Sequence, residues 1–213
     1  MSRRGLFIVL EGPEGSGKST LMEPLAARMR ERGVEPVVVR EPGSTRAAEI
    51  ARQVLLDPEH PVGPVAELFL YLAARADLVQ RVIEPALAAG RTVLSDRFAM
   101  TTEAYQMAGR GISPEVVLPA NQAAAAGLRP DLTLIIDVPV EVGRARQDAA
   151  GKRLDRIERE SPDFHSRVND YYLAVRGDGV RHLDGRLPPD RLLQAAWAEV
   201  VRVAPERFGG KTN

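Results

Sequence analysis

A glycine-rich octet, Gly12-Pro13-Glu14-Gly15-Ser16-Gly17-Lys18-Ser19, stands between a short apolar run and an amphipathic segment. Glycines at these spacings let backbone N–H groups turn inward around an anion, where a Cβ would obstruct them. The lysine and hydroxyl that close the octet complete the pattern of a P-loop. Lys18 is placed to reach the β- and γ-phosphates of ATP, and Ser19 to reach magnesium. The helix expected next points the positive end of its dipole at the same phosphates. The expected ATP contacts are therefore Gly12, Pro13, Glu14, Gly15, Ser16, Gly17, Lys18, Ser19 and Thr20. A P-loop names a nucleoside triphosphate site and not a reaction. No Asn-Lys-x-Asp guanine motif occurs, which argues against a switch GTPase. The chain also has little length for the larger apparatus of a motor or transporter ATPase.

Other charged and polar groups gather where strands should end. Ser95-Asp96-Arg97 closes one apolar run. If that strand neighbours the first, Asp96 falls beside the P-loop, where a carboxylate holds magnesium through water. Arg97 then points into the cleft above the strand ends; the alternative is a salt-bridged turn pair. Tyr71 and Arg75 are four residues apart and share a helix face, so a ring able to stack on a base would stand one turn from a guanidinium able to bind its carbonyl. The same spacing fits a core tyrosine and a surface arginine. Arg40-Glu41-Pro42-Gly43 ends a further strand, and Thr101, Thr102, Tyr105 and Gln106 form a polar group just after Arg97. Thr102 and Gln106 have the donors and acceptors to read a base edge. Between positions 144 and 159 the chain carries Arg144, Arg146, Lys152, Arg153, Arg156 and Arg159 around Gly151. That segment is either a solvated surface or a lid whose cations meet the phosphates.

The elements that must position these groups follow from periodicity. Strand-length apolar runs occur at residues 6–10, 36–39, 92–95, 132–138 and 180–183. Helical periods occur at 19–31, 46–56, 65–89, 101–108, 114–126, 156–175 and 189–203. The alternation predicts an α/β fold of three layers, with a five-stranded parallel sheet between helices. The expected organisation is one P-loop NTPase domain over 1–213, with a lid at about 144–159.

Composition bounds the function. The 29 basic and 29 acidic residues balance, so no general nucleic-acid or membrane-surface binder is indicated. There is no cysteine, hence no disulfide and no thiolate metal site. The apolar run at 6–10 is too short for a secretory core or a membrane span, and the chain is expected in the cytoplasm.

Taken in order, EGPEGSGKST, REPG, YLAAR, DRF…TTEAYQMAGR, PDLTLIIDV and LDRIERE make the chain resemble bacterial thymidylate kinases, over Phe7 to about Val175. The resemblance implies transfer of a phosphoryl group from ATP to dTMP with magnesium, and a homodimer. It places Glu14 near the dTMP sugar, Arg97 at the dTMP phosphate, and Glu41, Pro42 and Arg52 around the monophosphate, with Pro42 expected after a cis bond. It sets Tyr71 on thymine, Arg75 as donor to the base, Thr102 and Gln106 as polar contacts, and Tyr105 against a ribose 2′-OH. It makes Asp96 the magnesium-associated acid beside Ser19. Some relatives carry an arginine inside the P-loop; Gly15 occupies that place, and the resemblance transfers the charge to Arg146, Lys152, Arg153 and Arg156. Ser44, Phe98 and Met107 depart from the family pattern, and the lid is slightly longer.

The attacking group in such a reaction is a phosphate oxygen, largely ionised near neutral pH, so no general base is needed. Lys18, Arg97 and the lid cations act by alignment and charge neutralisation. Two other functions fit less well. A deoxynucleoside kinase needs a carboxylate base, for which Glu14 or Glu41 would have to serve. A non-catalytic nucleotide-binding protein would not need Lys18, Ser19, Asp96 and Arg97 together.

Overall fold

A computed structural model describes residues 4–149, 151 and 153–209. In chain order the elements are β1 (Phe7–Glu11), α1 (Lys18–Arg30), β2 (Val37–Arg40), α2 (Arg46–Leu56), α3 (Pro64–Leu78), a π-helical stretch (Val79–Ile83) and α4 (Glu84–Ala88). Then follow β3 (Val93–Asp96), α5 (Ala99–Thr102), a second π-helical stretch (Glu103–Gly109), α6 (Pro114–Ala124), β4 (Leu132–Asp137) and α7 (Val140–Ala149). The chain closes with α8 (Pro162–Ala174), β5 (Val180–Asp184), α9 (Pro189–Val203) and α10 (Pro205–Phe208). The strands form one parallel sheet in the order β2-β3-β1-β4-β5.

β1 reads as a continuous apolar run because it is central and covered on both faces. Ile8 and Leu10 join Leu21, Leu25 and Trp197 in the core under α1 and α9. Phe7 and Val9 point the other way, into a core with Leu78, Ile83 and Leu87. This is the expected three-layer α/β/α arrangement. The register aligns Leu10 with Asp96 on one side and Leu134 on the other. From β1 the chain order runs outward in both directions, and ligands bind at such switch points beyond the strand ends.

Three predicted helices differ. The segment at 65–89 is broken by its π-helical stretch, since Pro85 has no N–H to continue the ladder and opens α4 instead. The segment at 101–108 is largely π-helical. The segment at 156–175 becomes helical only from Pro162, as α8, capped by the Ser161 hydroxyl, which accepts from Phe164 N–H at 3.2 Å. Residues just before it form turns, with Asp155 accepting from the N–H groups of Ile157 and Glu158. Consequently the cationic segment divides: Arg144 and Arg146 lie on α7, while Arg153 and Arg156 lie outside any helix. Among the described residues, no helix is long and apolar enough to cross a membrane.

Candidate active site

β1 delivers the chain directly into the P-loop, and α1 begins at Lys18. The buried Lys18 ammonium donates to the carbonyls of Gly12 at 2.9 Å and Pro13 at 2.8 Å, and to Ser16 Oγ at 3.2 Å. Burial, then the Arg97 charge, brings its pKa down to about 8. Gly15 has φ +69°, and a Cβ there would lie 2.2 Å from the Gly143 carbonyl oxygen. Conversely, a Cβ on Gly143 would lie 2.5 Å from the Glu14 carbonyl oxygen. These two glycines therefore seat α7 against the P-loop backbone. A side chain at position 15, an arginine included, would be excluded by the same contact.

Arg146 uses that seat. Its guanidinium donates to the carbonyls of Gly15 at 3.3 Å and Ser16 at 3.5 Å, and to Gly185 at 2.8 Å. Of the other predicted lid cations, Arg153 pairs with exposed Glu59 at 3.0 Å. Arg156 donates to buried Glu67 at 2.7 Å and to the Leu55 carbonyl at 2.9 Å. Lys152 lies outside the described residues.

The pairing of β3 with β1 brings Asp96 beside the P-loop. Its Oδ2 stands 3.5 Å from the Ser19 hydroxyl, and its Oδ1 is buried with no protein partner. A buried carboxylate oxygen left unsatisfied next to a hydroxyl suits a hard cation held through oxygen and water. Among the described residues no cluster of three or more His, Cys, Asp or Glu surrounds it, so the remaining ligands would come from phosphate and water.

Arg97 sits one residue on, with φ +73°. It donates to Glu14 at 2.5 Å, to the Gly12 carbonyl at 3.1 Å, and to the hydroxyls of Thr101 and Tyr105 at 3.3 Å. Burial works against its charge, but Glu14 and the neighbouring tyrosines and Asp96 outweigh burial and raise its pKa. Beneath it lies Glu11, a fully buried carboxylate outside the set of sequence-predicted site residues. It accepts from Phe98 N–H at 2.9 Å, Thr101 N–H at 3.2 Å, Thr101 Oγ1 at 2.7 Å and Tyr172 OH at 2.8 Å. Burial pushes its pKa up, with Arg97 opposing. A lone acid ending the run Phe7-Ile8-Val9-Leu10 was the available signal.

A single cavity of about 690 Å³ joins both halves of the site. The P-loop from Glu14 to Thr20, Asp96 and Arg146 line one part. Glu41, Pro42, Arg52, Tyr71, Arg97 and Tyr105 line the other. The Glu41–Pro42 bond is cis, and Arg52 donates to the Pro42 carbonyl at 2.9 Å. Arg75, Thr102 and Gln106 are buried and adjoin this lining: Thr102 follows Thr101, Gln106 follows Tyr105, and Arg75 bonds Glu41. Arg75 donates to Glu41 at 2.8 Å, Thr102 at 2.8 Å and the Phe98 carbonyl at 3.0 Å, and also to Asn121. It is thus no surface arginine. Ser44 has φ +69°, a conformation that favours glycine, and its hydroxyl accepts from Arg40 N–H at 2.9 Å. Met107 packs against the cluster of Leu68, Leu72 and Val117.

A P-loop opening onto an arginine-lined cavity at the switch point of a parallel sheet is the architecture of a P-loop nucleotide kinase. A family model described as thymidylate kinase matches residues 10–192. A thymidylate kinase of Ectopseudomonas mendocina is 55% identical over 179 residues, covering 84% of this chain and 85% of the relative. One from Pseudomonas putida is 47% identical over 202 residues, covering 94% and 95%. The chain belongs to the thymidylate kinase family.

Proposed function

We propose that this protein transfers the γ-phosphoryl group of ATP to dTMP, giving ADP and dTDP. The observation that carries the reading is the shared cavity: donor cradle and acceptor arginines open onto one space. An oxygen of the acceptor phosphate attacks the γ-phosphorus, and the bond to the ADP oxygen breaks. Lys18 and the α1 N-terminus hold the donor phosphates, while Arg97 and Arg52 hold the acceptor phosphate in line. Arg146 adds charge on the P-loop side. Ser19 and Asp96 would hold magnesium, which when bound supplies further neutralisation of the phosphates. Tyr71 stacks on the base, Arg75, Thr102 and Gln106 supply the polar contacts to its edge, and Glu14 and Tyr105 lie along the sugar. One domain with a lid at about 144–159 performs the reaction in the cytoplasm. The enzyme acts as a homodimer through apolar surface on α3 and α6, where Val65, Phe69, Val116 and Leu118 are exposed.

An ADP-release assay with ATP, magnesium, thymidine and a panel of nucleoside monophosphates tests this reading. dTMP is expected to be the best acceptor. Lys18→Ala and Arg97→Ala should each lose roughly a hundredfold or more in turnover. Thymidine outperforming dTMP, or full turnover by either variant, would refute it.

A further inference from the structure

Behind Tyr71 lies a buried ionic cluster centred on Glu67, a residue of α3 one helical turn before Tyr71. Glu67 is fully buried and both its oxygens are occupied. Oε1 accepts from Gln106 Nε2 at 2.8 Å and Arg110 Nε at 3.0 Å. Oε2 accepts from Arg110 Nη2 at 2.8 Å and Arg156 Nη1 at 2.7 Å. Arg110 also pairs with Glu160 at 2.6 Å.

An ionised carboxylate only accepts hydrogen bonds, so it dictates which way a neighbouring amide faces. The NH2 of Gln106 must turn toward Glu67. Its carbonyl Oε1 is left buried and without a protein partner, although Gln106 is only 1% exposed. The cluster abuts the acceptor end of the cavity. The charges of Glu67 and Arg156 both act on Tyr71, and Tyr71, Tyr105, Asp155 and Ile157 line the cavity.

We propose that Glu67 is a positioning residue that selects the acceptor base, by locking the Gln106 amide with its carbonyl free. A free carbonyl accepts from a ring N–H, as thymine and uracil offer at N3. It opposes a ring nitrogen lone pair, as cytosine offers there. Were the amide reversed, its NH2 would suit cytosine instead. Glu67 thus prevents the orientation that would admit the wrong base. The inference rests on the reading of Gln106 as a contact to the acceptor base.

The test is the ratio of kcat/KM for dTMP to that for dCMP in the full-length chain, with dUMP as a second N3–H acceptor. Glu67→Gln offers Gln106 a donor or an acceptor, so either amide orientation becomes possible. The ratio is expected to fall by roughly ten- to a hundredfold, carried by KM for the monophosphate, with KM for ATP unchanged. dUMP should follow dTMP. Glu67→Asp keeps the charge facing Arg110 and Arg156 but withdraws it by one methylene, and is expected to show a smaller fall in a folded protein. Gln106→Leu leaves the ion pairs intact and should lose the preference outright. If Gln106→Leu loses the preference while both Glu67 variants, or Glu67→Asp where Glu67→Gln does not fold, retain it, the positioning role is overturned. An unchanged ratio in Gln106→Leu overturns the proposal at its premise. Absence of dTMP turnover in the unaltered chain sinks it together with the proposed function.

Discussion

Replacing Gly143 with alanine asks whether α7 must lie against the P-loop for turnover. The new Cβ would stand 2.5 Å from the Glu14 carbonyl oxygen, where ordinary contact begins at 3.4 Å. The helix must therefore retreat by about 0.9 Å, the difference between those two distances. Arg146 lies three residues further along α7, and its bonds to the carbonyls of Gly15 and Ser16 are already 3.3 and 3.5 Å long. A retreat of that size carries both out of hydrogen-bond range. Stability should change little. Alanine in place of glycine favours the helix by about 0.5–1 kcal/mol, and overpacking costs about 1–3 kcal/mol. A net loss of roughly 0–2.5 kcal/mol lowers Tm by about 10 °C at most in a chain of this size.

Activity should respond far more, since misplacement by about 1 Å commonly costs on the order of a hundredfold in rate. Gly143→Ala is thus expected to lower kcat by roughly ten- to a hundredfold while remaining folded. Steady-state kinetics with ATP and dTMP, paired with a thermal melt, measure both quantities. A variant that melts within a few degrees of the parent and keeps kcat within about threefold would refute the argument. The docking of α7 would then not belong to the geometry that performs transfer.

The depressed Lys18 pKa, about 8, predicts that kcat/KM for ATP declines above that pH, while kcat holds higher because bound phosphates favour the ammonium. A pH profile of kcat/KM that is flat through about pH 10 would contradict this. The same shift has a sign for stability: the folded chain sheds this proton before the unfolded chain, so Lys18's contribution rises between about 8 and 10.5 in a denaturation series. Asp96→Asn should raise the magnesium concentration needed for half-maximal rate by roughly 10–100-fold, and an unchanged magnesium titration would remove Asp96 from the metal site. Arg75→Met strands the Glu41 carboxylate in the core, so a loss of about 3–5 kcal/mol is expected in urea titrations, and a near-neutral result would contradict the buried pair.

Much of the fold was legible because a parallel sheet buried on both faces leaves uninterrupted apolar runs, and the five strands were found within a residue or two. Helix boundaries were less so. Period alone carried one helix through Pro85 and began another at Arg156, although Ser161-Pro162 was the stronger start signal. At the site, residues required by local backbone chemistry were visible: the P-loop glycines, Lys18 and the acid after a strand. Glu11 and Glu67 were not. Each acts through partners 87 to 161 or 39 to 89 positions away, a juxtaposition that only the folded sheet and helices create.

The cationic segment shows the same limit at the level of single charges. Sequence places Arg146, Arg153 and Arg156 together as candidates for one task, because a string of arginines carries no direction. Folding separates them by partner. Arg146 rides a helix held to the P-loop by two glycines, where its guanidinium meets the loop's own carbonyls. Arg156 turns toward the buried Glu67, one helical turn from Tyr71. Arg153 remains on an exposed pair, where solvent screening leaves little interaction energy. Gly15 therefore does more than omit a charge from the P-loop. Its missing side chain makes room for the Gly143 backbone, and that contact brings Arg146 to the loop.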